Sequence, residues 1–209
     1  MSASFQTLAQ ERRAETRERR SRFIATATPA RDDREARTAL DRARHEFPDA
    51  SHHCWASVIQ GRDSDPRERW HDAGEPRGTA GEPILQAIRG ADLRDLIVIV
   101  TRYFGGTKLG KGGLARAYRA AAARVLEGAP RRASIPCGVL LVDLPLPLDG
   151  EARHLVARHA GRVESSDYGD AGRCVLRVSV PRESLRALEG DLRALARGGA
   201  RIEESDETI

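Results

Sequence analysis

The hydrophobic positions of the chain form short blocks, and one block is unbroken. Residues 96–101, LIVIVT, are apolar up to a final threonine, and such a run predicts a strand in the middle of a sheet with both faces covered. Residues 21–27 and 53–60 are rich in aromatic and β-branched side chains and predict two more strands. Residues 67–72 predict a returning strand, whereas the mixed charges of residues 11–22 predict a solvated lead-in.

Start and stop signals predict two helices before the apolar strand. The aspartates at 32–33 provide an N-cap for a helix that runs to about residue 47. Thr79 and Glu82 have the spacing of a capping box, so a second helix is predicted from there to about residue 90.

A third helix is predicted over residues 114–127, closed by Gly128. On a helical wheel four apolar or aromatic residues fall on one side and three arginines on the other, so the helix packs one face and shows a basic one. The apolar side carries Leu114, Tyr118, Ala121 and Val125, and the basic side carries Arg116, Arg119 and Arg124.

Composition shifts at residues 128–136, GAPRRASIP, which predicts a linker between two domains, 1–130 and 137–209. Beyond the linker the patterns predict three further strands and two helices before a short final strand. Their predicted ranges are 138–143, 151–159, 162–168, 173–180, 183–196 and 200–203. This βαββαβ order is that of a ferredoxin-like domain, and the expected fold class of the whole chain is α+β.

Composition narrows the class of protein. Hydrophobic residues make up 40% and charged residues 32% of the chain, which fits a small soluble protein. The first twenty residues lack the apolar segment of a signal peptide, and no apolar run approaches the roughly 20 residues of a membrane span. Cys54, Cys137 and Cys174 form no CxxC pair, so neither a disulfide framework nor a zinc site is expected. We expect a cytoplasmic protein with no metal and no cofactor.

Charge is distributed unevenly along the chain. The net charge is only +4, yet residues 101–126 contain six basic side chains and no acidic one. A local excess of one sign indicates an anionic partner for that segment. Both lysines of the chain, Lys108 and Lys111, lie there, and all other basic side chains of the Lys/Arg class are arginine. Lysine in one loop of an arginine-rich chain favours a compact ammonium group at that place.

The same segment contains a glycine-rich loop, GGTKLGKGG at 105–113, that leads into the third helix. Successive glycines allow backbone N–H groups to turn toward one point, and a helix N-terminus adds partial positive charge, so the loop suits a phosphate. The spacing is not that of a Walker A loop, and a tight structural turn with solvated lysines is the alternative. Tyr103 and Phe104 would stack bases if they are exposed. The candidate phosphate contacts are Arg102, Gly105, Gly106, Lys108, Gly110, Lys111, Gly112, Gly113, Arg116 and Arg119.

A second group of polar residues precedes the second helix. In DAGEPRGT, residues 72–79, Asp72 and Glu75 stand beside glycines, with His71 adjacent and His52 upstream. Carboxylates and imidazoles in one place are candidates for an acid–base or metal site. The spacing matches no metal motif, and structural roles are the alternative: Glu75, for example, would pair with the basic loop. The sequence therefore identifies a possible second site but no catalytic residue.

Two long motifs carry a family resemblance. AGEPRGTAGEPILQAI at 73–88, followed by VIVTRYFGGTKLGKGGLARAY at 98–118, resembles the signature of the YigZ/IMPACT family in content, order and separation. HCWA at 53–56 resembles the strand before it. The chain departs from the family pattern at Ala73, where a second aspartate is usual, and at Arg77, where a small residue is common.

The resemblance covers about residues 18–128 and implies a particular architecture. It implies an N-terminal domain similar to domain IV of elongation factor G, and a C-terminal domain similar to domain V of that factor. Eukaryotic relatives act in translational control through a protein partner, so the resemblance also implies regulation of translation.

Three functions follow as hypotheses. The first is a non-enzymatic protein that binds RNA or the ribosome by contacting phosphates through the glycine-rich basic loop. The second is an enzyme for a small phosphorylated or nucleotide substrate, with Asp72 or Glu75 as base or metal ligand. The third is a regulator that binds a protein partner in translational control. A membrane partner is not expected.

Overall fold

The structure, a computed structural model, describes residues 4–60, 65–169 and 172–205. The chain divides into two compact units, one spanning Phe5–Ser134 and the other formed by the chain from Ile135 onward. Both units combine strands and helices, so the α+β class is confirmed. No described helix combines the length and the apolar composition that a bilayer crossing requires.

The first unit is built around an antiparallel sheet with three helices. Its strands are β1 Phe5–Leu8, β2 Arg12–Glu18, β3 Ser21–Pro29, β4 His52–Gln60, β5 Pro66–His71, β6 Leu96–Tyr103 and β7 Arg131–Ser134. Its helices are α1 Asp33–Glu46, α2 Gly81–Ala91 and α3 Gly110–Leu126. The main sheet has the order β2-β3-β6-β4-β5.

Strand β6 is the central strand of this sheet, as its apolar run predicted. Alternate side chains of a strand point to opposite faces. Ile97 and Ile99 pack with α1 on one face, whereas Val98 and Val100 belong to the core formed with α2 and α3 on the other. Both faces are covered, which is why the strand needs no polar side.

One expectation about the first unit was wrong, and a second feature was not foreseen. The charged segment near the N-terminus is not a solvated lead-in, because it forms β2 at the edge of the sheet and pairs with β3. Its alternating charged residues face solvent and make ion pairs such as Arg13–Glu46. The predicted linker is also partly a strand, because β7 pairs antiparallel with β1, with Phe5 opposite Ser134.

The second unit has the predicted βαββαβ order. Its elements are β8 Cys137–Pro145, α4 Asp149–Arg158, β9 Arg162–Gly169, β10 Arg173–Pro181, α5 Arg182–Leu195 and β11 Arg201–Glu204, with a 3₁₀ turn at Leu146–Leu148. The antiparallel sheet has the order β11-β8-β10-β9. Side chains of β8 and β10 pack with those of both helices in one core.

The predicted domain limits can be tested by cutting the chain. Because β7 completes a sheet with β1, we expect separation after Ser134 to yield two fragments, 1–134 and 135–209, that each unfold cooperatively. A fragment ending at Pro130 would lose the partner of β1 and melt at a lower temperature. Thermal unfolding followed by far-ultraviolet circular dichroism measures this. Two fragments that both lack a cooperative transition would contradict the two-domain assignment.

Candidate functional site

The glycine-rich segment is divided between a loop and the start of α3. The helix begins at Gly110, four residues earlier than the sequence predicted, so Gly110, Gly112 and Gly113 lie in its first turn. The N-cap is Leu109, no side chain caps the helix, and its first turn holds no acidic residue. The first-turn N–H groups therefore have no side-chain acceptor within the described residues, which leaves them available to an anion.

The loop is fixed at its base by backbone contacts with neighbouring strands. The Phe104 N–H donates to Ser51 Oγ at 3.1 Å, and the Gly105 N–H donates to Ser21 Oγ at 3.3 Å. A Cβ atom on Gly105 would lie 1.9 Å from the carbonyl oxygen of Arg20, so only glycine fits there. The loop is therefore held against the turn between β2 and β3.

Four of the predicted cationic contacts are exposed: Lys108, Lys111, Arg116 and Arg119. The turn between β2 and β3 adds two more exposed cations, since Arg19 donates to the Lys108 carbonyl oxygen at 3.4 Å and Arg20 touches Gly105. Within the described residues, none of these six side chains forms an ion pair with a carboxylate. We call this set the basic surface: Arg19, Arg20, Lys108, Lys111, Arg116 and Arg119.

Arg102 does not belong to that surface, and its prediction as a phosphate contact was wrong. Its side chain points to the α3 side of the sheet and only 4% of the residue is exposed. The guanidinium forms a buried ion pair with Glu75 and donates to Ser21 Oγ at 3.2 Å. It also lies 5.5 Å from the ring centroid of Phe23 and 5.4 Å from that of Phe104. A ligand on the surface cannot reach it.

The Glu75–Arg102 pair is the centre of a buried polar cluster. Tyr118 is fully buried and donates to Glu75 Oε1 at 2.8 Å. The Cys54 sulfur lies 3.3 Å from the Tyr118 hydroxyl and 3.0 Å from the Asp72 carbonyl oxygen. Burial raises the pKa of the Tyr118 hydroxyl and raises the pKa of the Cys54 thiol to about 12. Both groups stay protonated near neutrality, so Cys54 is not a thiolate nucleophile.

Asp72 caps the N-terminus of α2, although it precedes the helix by nine residues. Its carboxylate accepts the N–H groups of Gly78 at 2.8 Å and of Ala80 and Gly81 at 2.9 Å. Burial favours the neutral acid, but these three donors outweigh it and hold the pKa of Asp72 below its ordinary value. The predicted capping box was wrong, since the Thr79 hydroxyl instead donates to the Pro76 carbonyl oxygen.

The two carboxylates of the possible second site thus have structural partners. Glu75 Oε1 is engaged by the Arg102 guanidinium and the Tyr118 hydroxyl, and both oxygens of Asp72 accept backbone N–H groups. His52 Nδ1 is engaged by the Ala73 carbonyl oxygen at 2.9 Å, and its Nε2 lies 3.9 Å from Glu75 Oε1. Across the described ranges, no cluster of three or more histidine, cysteine or acidic residues is arranged to hold a metal ion.

Sequence reasoning missed the polar role of Tyr118 and placed it only on the apolar side of its helix. A buried tyrosine normally finds a partner for its hydroxyl group, and that rule was the available signal. The alternation of side chains along β6 was a second signal. Arg102 lies on the same face of the strand as Val98 and Val100, and this indicates that its side chain is buried.

Comparison with known proteins defines the class of protein. Residues 19–126 match the model of the Impact N-terminal domain, a segment that includes the loop, the Asp72 cap and the Glu75–Arg102 pair. The chain belongs to the IMPACT family.

Individual relatives extend the likeness beyond that segment. The chain is 39% identical over 173 residues to an IMPACT family member in the pol 5′ region of Thermus thermophilus, covering 77% of this chain and 92% of the relative. It is 29% identical over 184 residues to the IMPACT family member YigZ of Escherichia coli, covering 88% and 89%. A solved structure described as that of a hypothetical protein has a TM-score of 0.73 and 27% identity, and covers 99% of this chain and 100% of its own.

The buried ion pair predicts a large and non-additive loss of stability. Arg102→Met or Glu75→Gln leaves one charge buried without a partner, which costs about 3–5 kcal/mol. The double variant should cost clearly less than the sum, because no charge is left unpaired. Urea unfolding followed by tryptophan fluorescence reports on the first unit, since both tryptophans, Trp55 and Trp70, lie there.

A surface pair provides the control for this measurement. Arg44→Met breaks the exposed pair with Asp41 and should cost less than about 1 kcal/mol. Additive losses in the Glu75 and Arg102 variants would show that the two charges do not stabilise one another.

The Asp72 cap predicts a pH-dependent stability. Because the pKa of Asp72 is lowered in the folded state, its contribution is complete above the unfolded value of about 4 and is lost as the pH falls through the folded value. Asp72→Asn should cost about 1 kcal/mol at neutral pH and should lose less stability than wild type between about pH 4 and pH 2. Unfolding curves at several pH values measure this, with Asp41→Asn as the exposed control. Parallel acid limbs for wild type and Asp72→Asn would contradict the cap.

Proposed function

We propose that the protein is a non-enzymatic RNA-binding protein that uses the basic surface to contact phosphates on RNA or the ribosome. One observation carries this proposal: the N-termini of α2 and α3 are treated differently. The α2 terminus is closed by the carboxylate of Asp72, whereas the α3 terminus has no capping side chain and is flanked by both lysines of the chain. An anion supplied from outside would serve α3 as Asp72 serves α2.

The chemistry of the surface supports a phosphate backbone as that anion. Backbone N–H groups, partial positive charge at the helix terminus and two flexible ammonium groups meet at one place. Arg116 and Arg119 extend the positive charge along α3, and Arg19 and Arg20 extend it along the neighbouring turn. Such contacts position a nucleic acid without reading its bases.

Phe104 supports an RNA partner over a simple anion. It is 48% exposed in a chain with few aromatic residues, and it follows the end of β6 next to the basic surface. An exposed ring beside cations suits stacking with an unpaired base. Sequence-tolerant binding of single-stranded RNA would combine these two kinds of contact.

Family membership supports a regulatory role. The sequence motifs imply two units similar to domains IV and V of elongation factor G, and this expectation, taken with the basic surface, supports regulation that acts on translation in the cytoplasm. The rival enzyme hypothesis is less favoured, because Asp72 caps α2 and Glu75 pairs with Arg102. A protein partner in translational control is the other hypothesis, and the binding experiment separates it from RNA binding.

The two lysines predict the salt dependence of RNA binding. Lys108→Ala with Lys111→Ala should weaken binding to all RNA sequences alike and should reduce the slope of log K against log salt by about two, one for each phosphate contact. Stability should hardly change, because both side chains are exposed. The measurement is the affinity for single-stranded RNA oligomers at several salt concentrations, with thermal melts alongside.

A matched variant controls for net charge. Arg158→Ala with Arg186→Ala removes two exposed charges from the second unit. It should leave the slope of log K against log salt within about 0.5 of the wild-type slope. If the lysine variant keeps the wild-type slope and affinity, the loop is a structural turn. If wild type binds no RNA at all, the protein-partner hypothesis takes its place.

A further inference from the structure

A basic cleft, separate from the basic surface, lies at the end of the β3–β6 strand pair that is farther from the glycine-rich loop. The glycine-rich loop follows the end where Arg22 is paired with Tyr103, whereas this cleft adjoins the end where Pro29 is paired with Leu96. Seven residues of strand separate the two ends, about 23 Å. The cleft has a volume of about 470 Å³. Four arginines and two threonines line it: Arg31, Arg34, Arg42, Arg132, Thr28 and Thr38.

The arginines converge from separate parts of the first unit. Arg31 follows β3, Arg34 and Arg42 lie on α1, and Arg132 lies on β7. Asp95 gives independent support for this convergence: burial raises the pKa of its carboxyl group to about 6, and the charges of Arg31 and Arg132 both act against that rise. Arg31 and Arg132, 101 positions apart in sequence, therefore both lie within electrostatic range of the buried Asp95 carboxyl group.

The carboxylates of Glu11, Glu35 and Asp95 lie near the four arginines, but among the described residues only Glu11 forms an ion pair with one of them. Glu11 is shared between Arg42 at 3.1 Å and the Thr28 hydroxyl at 2.9 Å. Glu35 also lines the cleft, and its carboxylate accepts the backbone N–H of Arg31 at 2.8 Å. Among the residues that the structure describes, the guanidinium groups of Arg31, Arg34 and Arg132 form no ion pair.

The unpaired guanidinium groups of this cleft resemble those of the basic surface and differ from arginines that have a carboxylate partner. Exposed arginines such as Arg89 and Arg193 are matched by carboxylates on the same or a neighbouring element. Three unmatched guanidinium groups around one concavity repel one another, and an anion with several oxygens would relieve that repulsion. Guanidinium groups suit phosphate oxygens because their N–H groups form a planar fork that bonds two oxygens at once.

We propose that this arginine cleft binds a small phosphorylated ligand, with Arg31, Arg34 and Arg132 contacting its phosphate oxygens. The volume lies within the range of pockets for small ligands. The site is separate from the basic surface and does not depend on the RNA-binding proposal. Its ligand is a discrete molecule, such as a nucleotide, rather than a polymer.

Calorimetric titration of the full chain with inorganic pyrophosphate and with adenosine diphosphate tests the cleft. Wild type should bind at least one of the two probes saturably with one site per chain. Arg34→Gln with Arg132→Gln should weaken that binding about a hundredfold, since each charge-assisted contact contributes about tenfold or more. Arg34→Lys with Arg132→Lys keeps the positive charge but loses the planar pair of N–H donors. Its probe affinity should lie between that of wild type and that of the glutamine variant.

A variant of the second unit is the matched control. Arg158→Ala with Arg186→Ala removes the same charge and should leave probe affinity within about twofold of wild type, because neither side chain lines the cleft. All four substituted arginine positions are exposed, so folding should be unaffected.

Three results would overturn the proposal. The first is the absence of saturation by either probe at millimolar concentration. The second is an equal loss of affinity in the Arg34/Arg132 variant and in the control variant, which would indicate non-specific attraction. The third is a loss of RNA affinity in the arginine variant without any saturable probe binding, which would assign the cleft to a polymer.

Discussion

The buried ion pair between Glu75 and Arg102 is the interaction on which the first unit depends. Removal of two charges from water costs several kcal/mol per ion and is repaid only when geometry and hydrogen bonding are both good. Here the pair joins the loop before α2 to the end of β6, while Tyr118 and Ser21 bring α3 and β3 to the same point. All four elements must be in register before either charge is satisfied.

The position of this pair explains why the glycine-rich loop has a defined conformation at its start. Arg102 stands next to the glycine-rich segment, and its guanidinium is covered by Phe23 and Phe104. The loop therefore starts from a fixed point, and its cations are displayed from a rigid base, which lowers the ordering cost of binding. The α2 terminus, satisfied internally, and the α3 terminus, open to solvent, lie on either side of that fixed point in the chain.

Local and periodic features of the fold could be predicted from sequence, and contacts between distant residues could not. The apolar run of β6, the Asp32 cap of α1 and the βαββαβ order depend on short windows of residues. The pairing of β1 with β7 and the capping of α2 by Asp72 depend on chain segments meeting in space. The candidate site divides in the same way: the exposed lysines follow from composition, but the burial of Arg102 follows from which face of a strand it occupies.

The pairing of Phe5 with Ser134 has a topological consequence. Opposite residues of an antiparallel pair lie about 5 Å apart, so the first unit begins and ends at the same place on its surface. A unit whose ends are adjacent can be inserted into a loop of another protein, or be followed by a different domain, without any change in the path of its strands. The fold of the first unit therefore does not depend on which domain is joined to its ends.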